Sequence, residues 1–380
     1  EIPLRLVGSE MCIRDRNKSL QILSAVIFLV AYTIYAASSI KACGTLFHTV
    51  MDVNPTVAMY IAAFIIVAYT FLGGFSAVCW TDFFQGMIML AALLVAPLFA
   101  LALAKAGDGA VAGATLPEGF FNFFTTPQDI ISGLGWGLGY FGMPHIIIRF
   151  MSLKSEKELR KSSVIGISWT TIILIMSALT AVAGRLYLGE IEDSSTVFIT
   201  MVRRIFPALV SGLLLSAILS AAMSTADSQL LAASSAFASD VYKPVIRKKA
   251  SDSEMLWAGR IVVIVIAVVA LMIASDPNSG SIMGLVENAW GVFGAAFGPV
   301  ILLSLFWKRL TFGGTVAGIA AGAAVDILWL VFLSSTDIYE IVPGFAAGLL
   351  AAVVVSLLSK GPGKDVDCLL YTSDAADDMQ

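Results

Sequence analysis

The sequence predicts an all-α polytopic membrane protein with about ten bilayer-spanning helices. Three observations predict it. Of the 380 residues, 58% are hydrophobic and only 13% charged, whereas soluble domains carry about 25% charged residues. Mean hydropathy is +0.89. The charges sit in short clusters between apolar runs long enough to cross a bilayer. A water-soluble core of this size cannot be built with so few surface charges.

In chain order the spans are expected at 19–46, 55–73, 77–104, 128–150, 163–189, 207–240, 254–275, 281–306, 312–334 and 340–359. The Gly73-Gly74 pair divides the second from the third. The segment 192–205 is short and amphipathic, and is expected to lie on one membrane face. The run 207–240 is too long for one upright span, so it must tilt or project beyond the bilayer.

Basic residues give the orientation. Lys154, Lys157, Arg160 and Lys161 share one loop, and Lys243, Arg247, Lys248 and Lys249 a second. Lys308 and Arg309 mark a third, and Lys360 and Lys364 follow the last span. Loops 47–54, 106–127, 276–280 and 335–339 are nearly free of Lys and Arg. The alternation places both native ends on the cytoplasmic side, with Arg203 and Arg204 as the exception.

Residues 1–16 and 368–380 differ in character from the body and resemble read-through of sequencing adaptors. The native part is expected at 17–367, and Cys12 and Cys368 fall outside it. Cys43 and Cys79 lie in apolar segments and read as buried small hydrophobes. No metal or disulfide spacing is present, and the only histidines are His48 and His145.

Residues 133–144 read GLGWGLGYFGMP, five glycines and a proline inside a run of spanning length. Interior glycine costs about 1 kcal/mol and interior proline about 3 relative to alanine. Such a helix should break near its middle, and broken spans are tolerated in a bilayer where they line a site or cavity. Trp136, Tyr140 and Pro144 recur every four residues on one face. Two readings stand. The face either receives a small ligand with an apolar body and polar ends, or serves interfacial anchoring and close glycine packing.

A second cluster spans 220–229, SAAMSTADSQ. Ala221, Ser224, Thr225 and Ser228 share a helix face, and hydroxyls with opened carbonyls suit a hard monovalent cation. The alternative is small-residue packing with the hydroxyls bonded back to the preceding turn. Asp227 weighs against that alternative, because an intramembrane carboxylate is costly. Asp82 follows the Gly73-Gly74 turn and either caps the next helix or guides cations. Glu287 and Asp326 read as ordinary buried, partnered groups.

At these clusters the chain resembles the solute:sodium symporter family, most closely its bacterial proline-transporting members. The resemblance covers nearly all of 19–363. It rests on YTIYAASSI (32–40), YTFLGGFSAVCWTDFFQ (69–85), GWGLGYFGMPHIIIRF (135–150), LLSAILSAAMSTADSQLL (214–231), AWGVFGAAFGPV (289–300) and YEIVPGF (339–345). It implies a partial inverted-repeat fold of five plus five helices, with three family helices lacking before residue 19. A chain so shortened is not expected to transport. It implies substrate binding by Trp136, Tyr140 and Pro144, and a Na⁺ site at Ala221, Ser224 and Thr225. Tyr35 and Asp82 match positions that affect transport, and Asp227 and Ser228 join them as candidates for coupling. Met143 stands where the family's proline carriers have glutamine.

The function expected is secondary active transport in a bacterial cytoplasmic membrane. Inward Na⁺ would drive uptake of a small amino acid, L-proline first. The alternatives are another small solute, such as a different amino acid, a compatible solute or a pantothenate-like carboxylate, or a symporter-like sensor module. No nucleophile–base pair is visible, so an enzyme is not expected. Na⁺ is expected as the co-transported ion, with no organic cofactor. The expected partners are the solute and the lipid bilayer, not nucleic acid or an obligate protein.

Overall fold

The computed structural model describes residues 18–361, apart from 112, 123–125, 152 and 154. The segments 1–16 and 368–380, with Cys12 and Cys368, lie outside the described residues, as do Lys154 and Lys364. Among the described residues the regular structure is helical. The long helices are α1 (Lys18–Met51), α2 (Pro55–Ala106), α6 (Glu156–Leu188), α8 (Ala208–Ala236), α9 (Asp252–Ser275), α10 (Ile282–Phe306), α11 (Phe312–Phe332) and α12 (Ile341–Leu358). Between them lie the short α3 (Pro127–Gly135), α4 (Gly139–Gly142), α5 (Pro144–Met151) and α7 (Val197–Ile205).

Eight of these described elements are long and apolar enough to cross a membrane. The expected ten differ by two, and both have a physical cause. The first is α2. At Gly74 its backbone turns to φ 62° and ψ −168°, a conformation that favours glycine. Tyr69 and Asp82 lie 13 residues apart, about 20 Å along a straight helix. Yet Tyr69 bonds to Asp227, and the adjacent Ser228 bonds to Asp82. The chain therefore doubles back at Gly74, and α2 is two limbs, 55–73 and 75–106. The second cause is the run 127–151, in which no single helix reaches spanning length because α3, a 3₁₀ turn (Trp136–Leu138), α4 and α5 follow one another.

Helix α8 does not stop at Ala236. It continues as a π-helix, Phe237–Ile246, beyond the expected limit at 240. Tyr242 donates to Glu254 Oε1 at 2.7 Å, and Arg247 pairs with the same oxygen at 3.0 Å, tying this extension to α9. Helix α7 buries Ile199, Met201 and Val202 and exposes Arg203 and Arg204. Arg203 donates to the Thr49 carbonyl at 2.7 Å, in the last turn of α1. That explains the exception among the basic residues. A cation at a helix C-terminus satisfies orphan carbonyls and the negative end of the dipole.

The main core joins α1, α8, α9, α10, α11 and α12 around Tyr32, Met143, Phe293 and Val300. A second core packs the returning limb of α2 against α6, α7 and α8 through Ala92, Ala96, Ala100, Tyr187 and Leu214. Cys43 is buried, as expected, but Cys79 is exposed. It lies within electrostatic reach of Arg149, Asp82 and Asp227, three residues before Asp82 on the returning limb. In a bilayer protein an apolar neighbourhood does not imply burial, since lipid solvates such faces.

Candidate functional site

The broken segment is the centre of the site, and its break lies later than the glycines. Residues Gly135 to Gly139 keep right-handed helical geometry. Met143 leaves it, at φ −83° and ψ 107°, immediately before Pro144. Proline disfavours helical geometry in the residue before it, so Pro144 sets the break. The glycines instead permit close approach. A Cβ on Gly139 would strike the indole Nε1 of Trp290, and one on Gly142 the Phe293 carbonyl oxygen. The segment expected to break through its glycines and proline does break, with the proline setting the position and the glycines serving close packing.

Helix α5 restarts with an orphan N–H that the fold satisfies from outside. The His145 N–H donates to Tyr32 Oη at 3.0 Å. Tyr32 is wholly buried, and its ring lies 4.6 Å from that of Phe293. Met143 is wholly buried in the same core. Pro144 is half-buried.

On the first half of the broken segment, aromatic rings assemble on Trp290. Trp136 stacks on it with centroids 5.6 Å apart and planes 16° apart. Tyr140 meets it edge-on at 4.9 Å. The other partner of Trp136 is Tyr339, stacked at 5.7 Å and 27°. The Trp290 Nε1–H donates to the Trp136 carbonyl at 2.9 Å, and the Tyr339 hydroxyl to the Glu287 carbonyl at 2.8 Å. Tyr140 remains 45% exposed, so one side of this box is open. Tyr35 is half-buried against the same core, within electrostatic reach of Tyr140.

The second half of the segment reaches a polar cluster between α2 and α8. Arg149 pairs with Asp82 and donates to Ser228 Oγ at 2.6 Å. Ser228 also donates to Asp82 Oδ2 at 3.3 Å. At the residue next to Ser228, Tyr69 donates to Asp227 Oδ2 at 2.8 Å and lies 3.2 Å from the Met223 carbonyl. Asp227 is wholly buried. Its Oδ1 and that of Asp82 lack a hydrogen-bond partner among the described residues. Asp82 lies about two turns into the returning limb, so it does not cap that limb. Its carboxylate serves the cluster.

Ala221, Ser224 and Thr225 lie one turn before Asp227 and Ser228, all partly accessible. Ser224 Oγ bonds back to the Ala221 carbonyl at 3.2 Å. This is the back-bonding alternative raised from sequence, and it also sets two oxygens side by side. Asp82, Asp227 and Ser228 are therefore brought together, as are Trp136 and Tyr140, while Tyr35 sits near the aromatic box.

Sequence reasoning missed Arg149, Tyr69, Tyr32, Trp290 and Tyr339 as site members. All five lie inside the segments that carry the family resemblance, but their partners are distant in sequence. Asp326 also departs from expectation. It is wholly buried, yet neither carboxylate oxygen has a hydrogen-bond partner among the described residues.

Comparison with known proteins places the chain in a family and a fold. The high-affinity proline transporter PutP of Bacillus subtilis (strain 168) is 42% identical over 359 residues, covering 93% of this chain and 76% of that protein. A sodium/proline symporter of Haemophilus influenzae is 43% identical, covering 95% of this chain and 75% of that protein. A solved Na⁺-coupled sialic acid symporter in a substrate-bound outward-open state aligns with TM-score 0.71 and 19% identity. That alignment covers 90% of this chain and 74% of that one, and shows a shared fold. The family model described as the sodium:solute symporter family matches residues 11–322. With a multi-span helical fold built around a broken helix, and relatives this similar over most of their length, the chain belongs to the sodium:solute symporter family.

Proposed function

We propose that the full-length protein couples inward movement of Na⁺ to uptake of a small amino acid, L-proline, across a bacterial cytoplasmic membrane, with its C-terminus on the cytoplasmic side. The relatives named as proline transporters support the cargo. One observation carries the coupling. A single broken segment, 127–151, bears Trp136 and Tyr140 of the aromatic box at one end and Arg149 of the oxygen-rich cluster at the other.

In this reading Trp136, Tyr140 and Pro144 receive the apolar ring of the solute. Aromatic faces and an edge-on phenol suit a small saturated ring that also carries charge. Ala221, Ser224 and Thr225 supply oxygens for Na⁺, which needs oxygen donors more than charge. Asp82, Asp227, Ser228 and Tyr35 transmit occupancy between the two, with Arg149 as the link. The segments 1–16 and 368–380 are proposed to be foreign to the native protein.

The test is uptake of radiolabelled proline by cells expressing the full-length gene, with and without a Na⁺ gradient. Uptake that needs Na⁺ supports the proposal. Uptake that ignores Na⁺ removes the coupling, and strong competition by a solute unlike proline changes the cargo.

A further inference from the structure

Outside this site, α10, α11 and α12 enclose a second pair of carboxylates. Asp326 on α11 is wholly buried, and Glu340, just before α12, is 8% exposed. Asp326 Oδ1, Asp326 Oδ2 and Glu340 Oε1 accept no hydrogen bond from the described residues. The two side chains face the same point. A Cβ on Gly291 would lie 2.9 Å from Asp326 Oδ1 and 3.4 Å from Glu340 Oε1. A side chain at 291 would collide with Asp326 Oδ1, so both carboxylates lie directly against the bare Gly291 backbone.

Two ionised carboxylates cannot share such a space uncompensated. Burying an unpaired carboxylate carries a heavy desolvation cost that only a partner or neutralisation relieves. The other acidic group on α10 near this pair is the half-buried Glu287, which adds to the negative field rather than relieving it. Tyr339, the residue before Glu340, has its hydroxyl committed to the Glu287 carbonyl. A compensating positive charge is required, and it must be small enough to sit between two carboxylates packed against Gly291.

We propose that Asp326 and Glu340 bind one small monovalent cation, sodium or a proton, in the space beside Gly291. The site is separate from the oxygens on α8 and does not depend on proline being the cargo. Its position is informative. Gly291 and Glu340 are the chain neighbours of Trp290 and Tyr339, the two rings that stack on Trp136. Occupancy can therefore bias the aromatic box through the backbone they share.

The experiment is carbodiimide labelling of the full-length protein in membranes, with the modified carboxyls located by mass spectrometry. The reagent is apolar and captures protonated carboxyls. In choline buffer at mildly acidic pH, labelling at Asp326 or Glu340 is expected. If the ligand is a proton, labelling falls about tenfold per pH unit above its midpoint and ignores Na⁺ at fixed pH. If the ligand is sodium, it falls with added Na⁺ at fixed pH while K⁺ has no effect. Glu340→Gln should remove that sensitivity at Asp326, and Thr225→Ala should leave it intact, which separates this site from the one on α8. Labelling of neither carboxyl in any buffer, or labelling indifferent to both pH and Na⁺, overturns the proposal.

Discussion

The Arg149 guanidinium donates to the Ser228 hydroxyl at 2.6 Å and also pairs with Asp82. One side chain from the broken segment thereby holds both the returning limb of α2 and the middle of α8. The same segment lends Trp136 and Tyr140 to the Trp290 box. A shift of this segment must alter both places at once, which is the physical requirement for coupling between two ligands.

Arg149→Gln leaves Asp82 without its cation while Ser228 keeps one partner. Initial rates of proline uptake, at matched surface expression, should fall at least about tenfold, equivalent to 1.4 kcal/mol or more. Adding Asp82→Asn should restore part of the loss, with an interaction energy of about 0.5–3 kcal/mol. Strict additivity of the two would show that the pair is not coupled.

The glycines of the broken segment divide into two kinds. Gly142 abuts the Phe293 carbonyl, whereas Gly137 has open space where a Cβ would go. Gly142→Ala should cost about 1–3 kcal/mol through overpacking. Gly137→Ala should be neutral or slightly stabilising. Thermal unfolding in detergent, followed by fluorescence, distinguishes them, and equal effects would contradict the packing assigned here.

Tyr69→Phe deletes the hydroxyl that donates to the buried Asp227 Oδ2. The carboxylate then loses its tyrosine donor and keeps only the support of the neighbouring Ser228, at a cost of about 1–3 kcal/mol. A lowered thermal midpoint is expected. An unchanged midpoint would mean that Asp227 finds another partner.

Thr225→Ala and Trp136→Ala should separate the ion from the solute. The first should raise the Na⁺ concentration for half-maximal uptake, and the second the proline concentration. Silence in both would show that the site residues are misassigned.

Much of this fold was legible in the sequence, because spanning runs announce themselves by hydropathy. The hairpin at Gly74 was signalled by the Gly73-Gly74 pair. The short helix α7 was signalled by its amphipathicity, and the unusual length of α8 with its extension by the apolar run 207–240. What escaped was the choice of faces. Both lipid and protein neighbours are apolar, so Cys43 and Cys79 look alike although one is buried and the other exposed. Partners escaped for a related reason. Trp136 and Trp290 are 154 residues apart, and Arg149 and Ser228 are 79 apart. Helical period says nothing about which distant face meets which. The proline break was partly legible, but its position was drawn to the glycines, whose role is contact with α10.

The account rests on reciprocity through the broken segment, and one measurement reads it directly. Proline binding to the purified full-length protein should be titrated by calorimetry in Na⁺ and in choline, and Na⁺ binding with and without proline. The account predicts that Na⁺ tightens proline binding at least about fivefold and that proline tightens Na⁺ binding by the same factor. Equal proline affinity in the two buffers would contradict it.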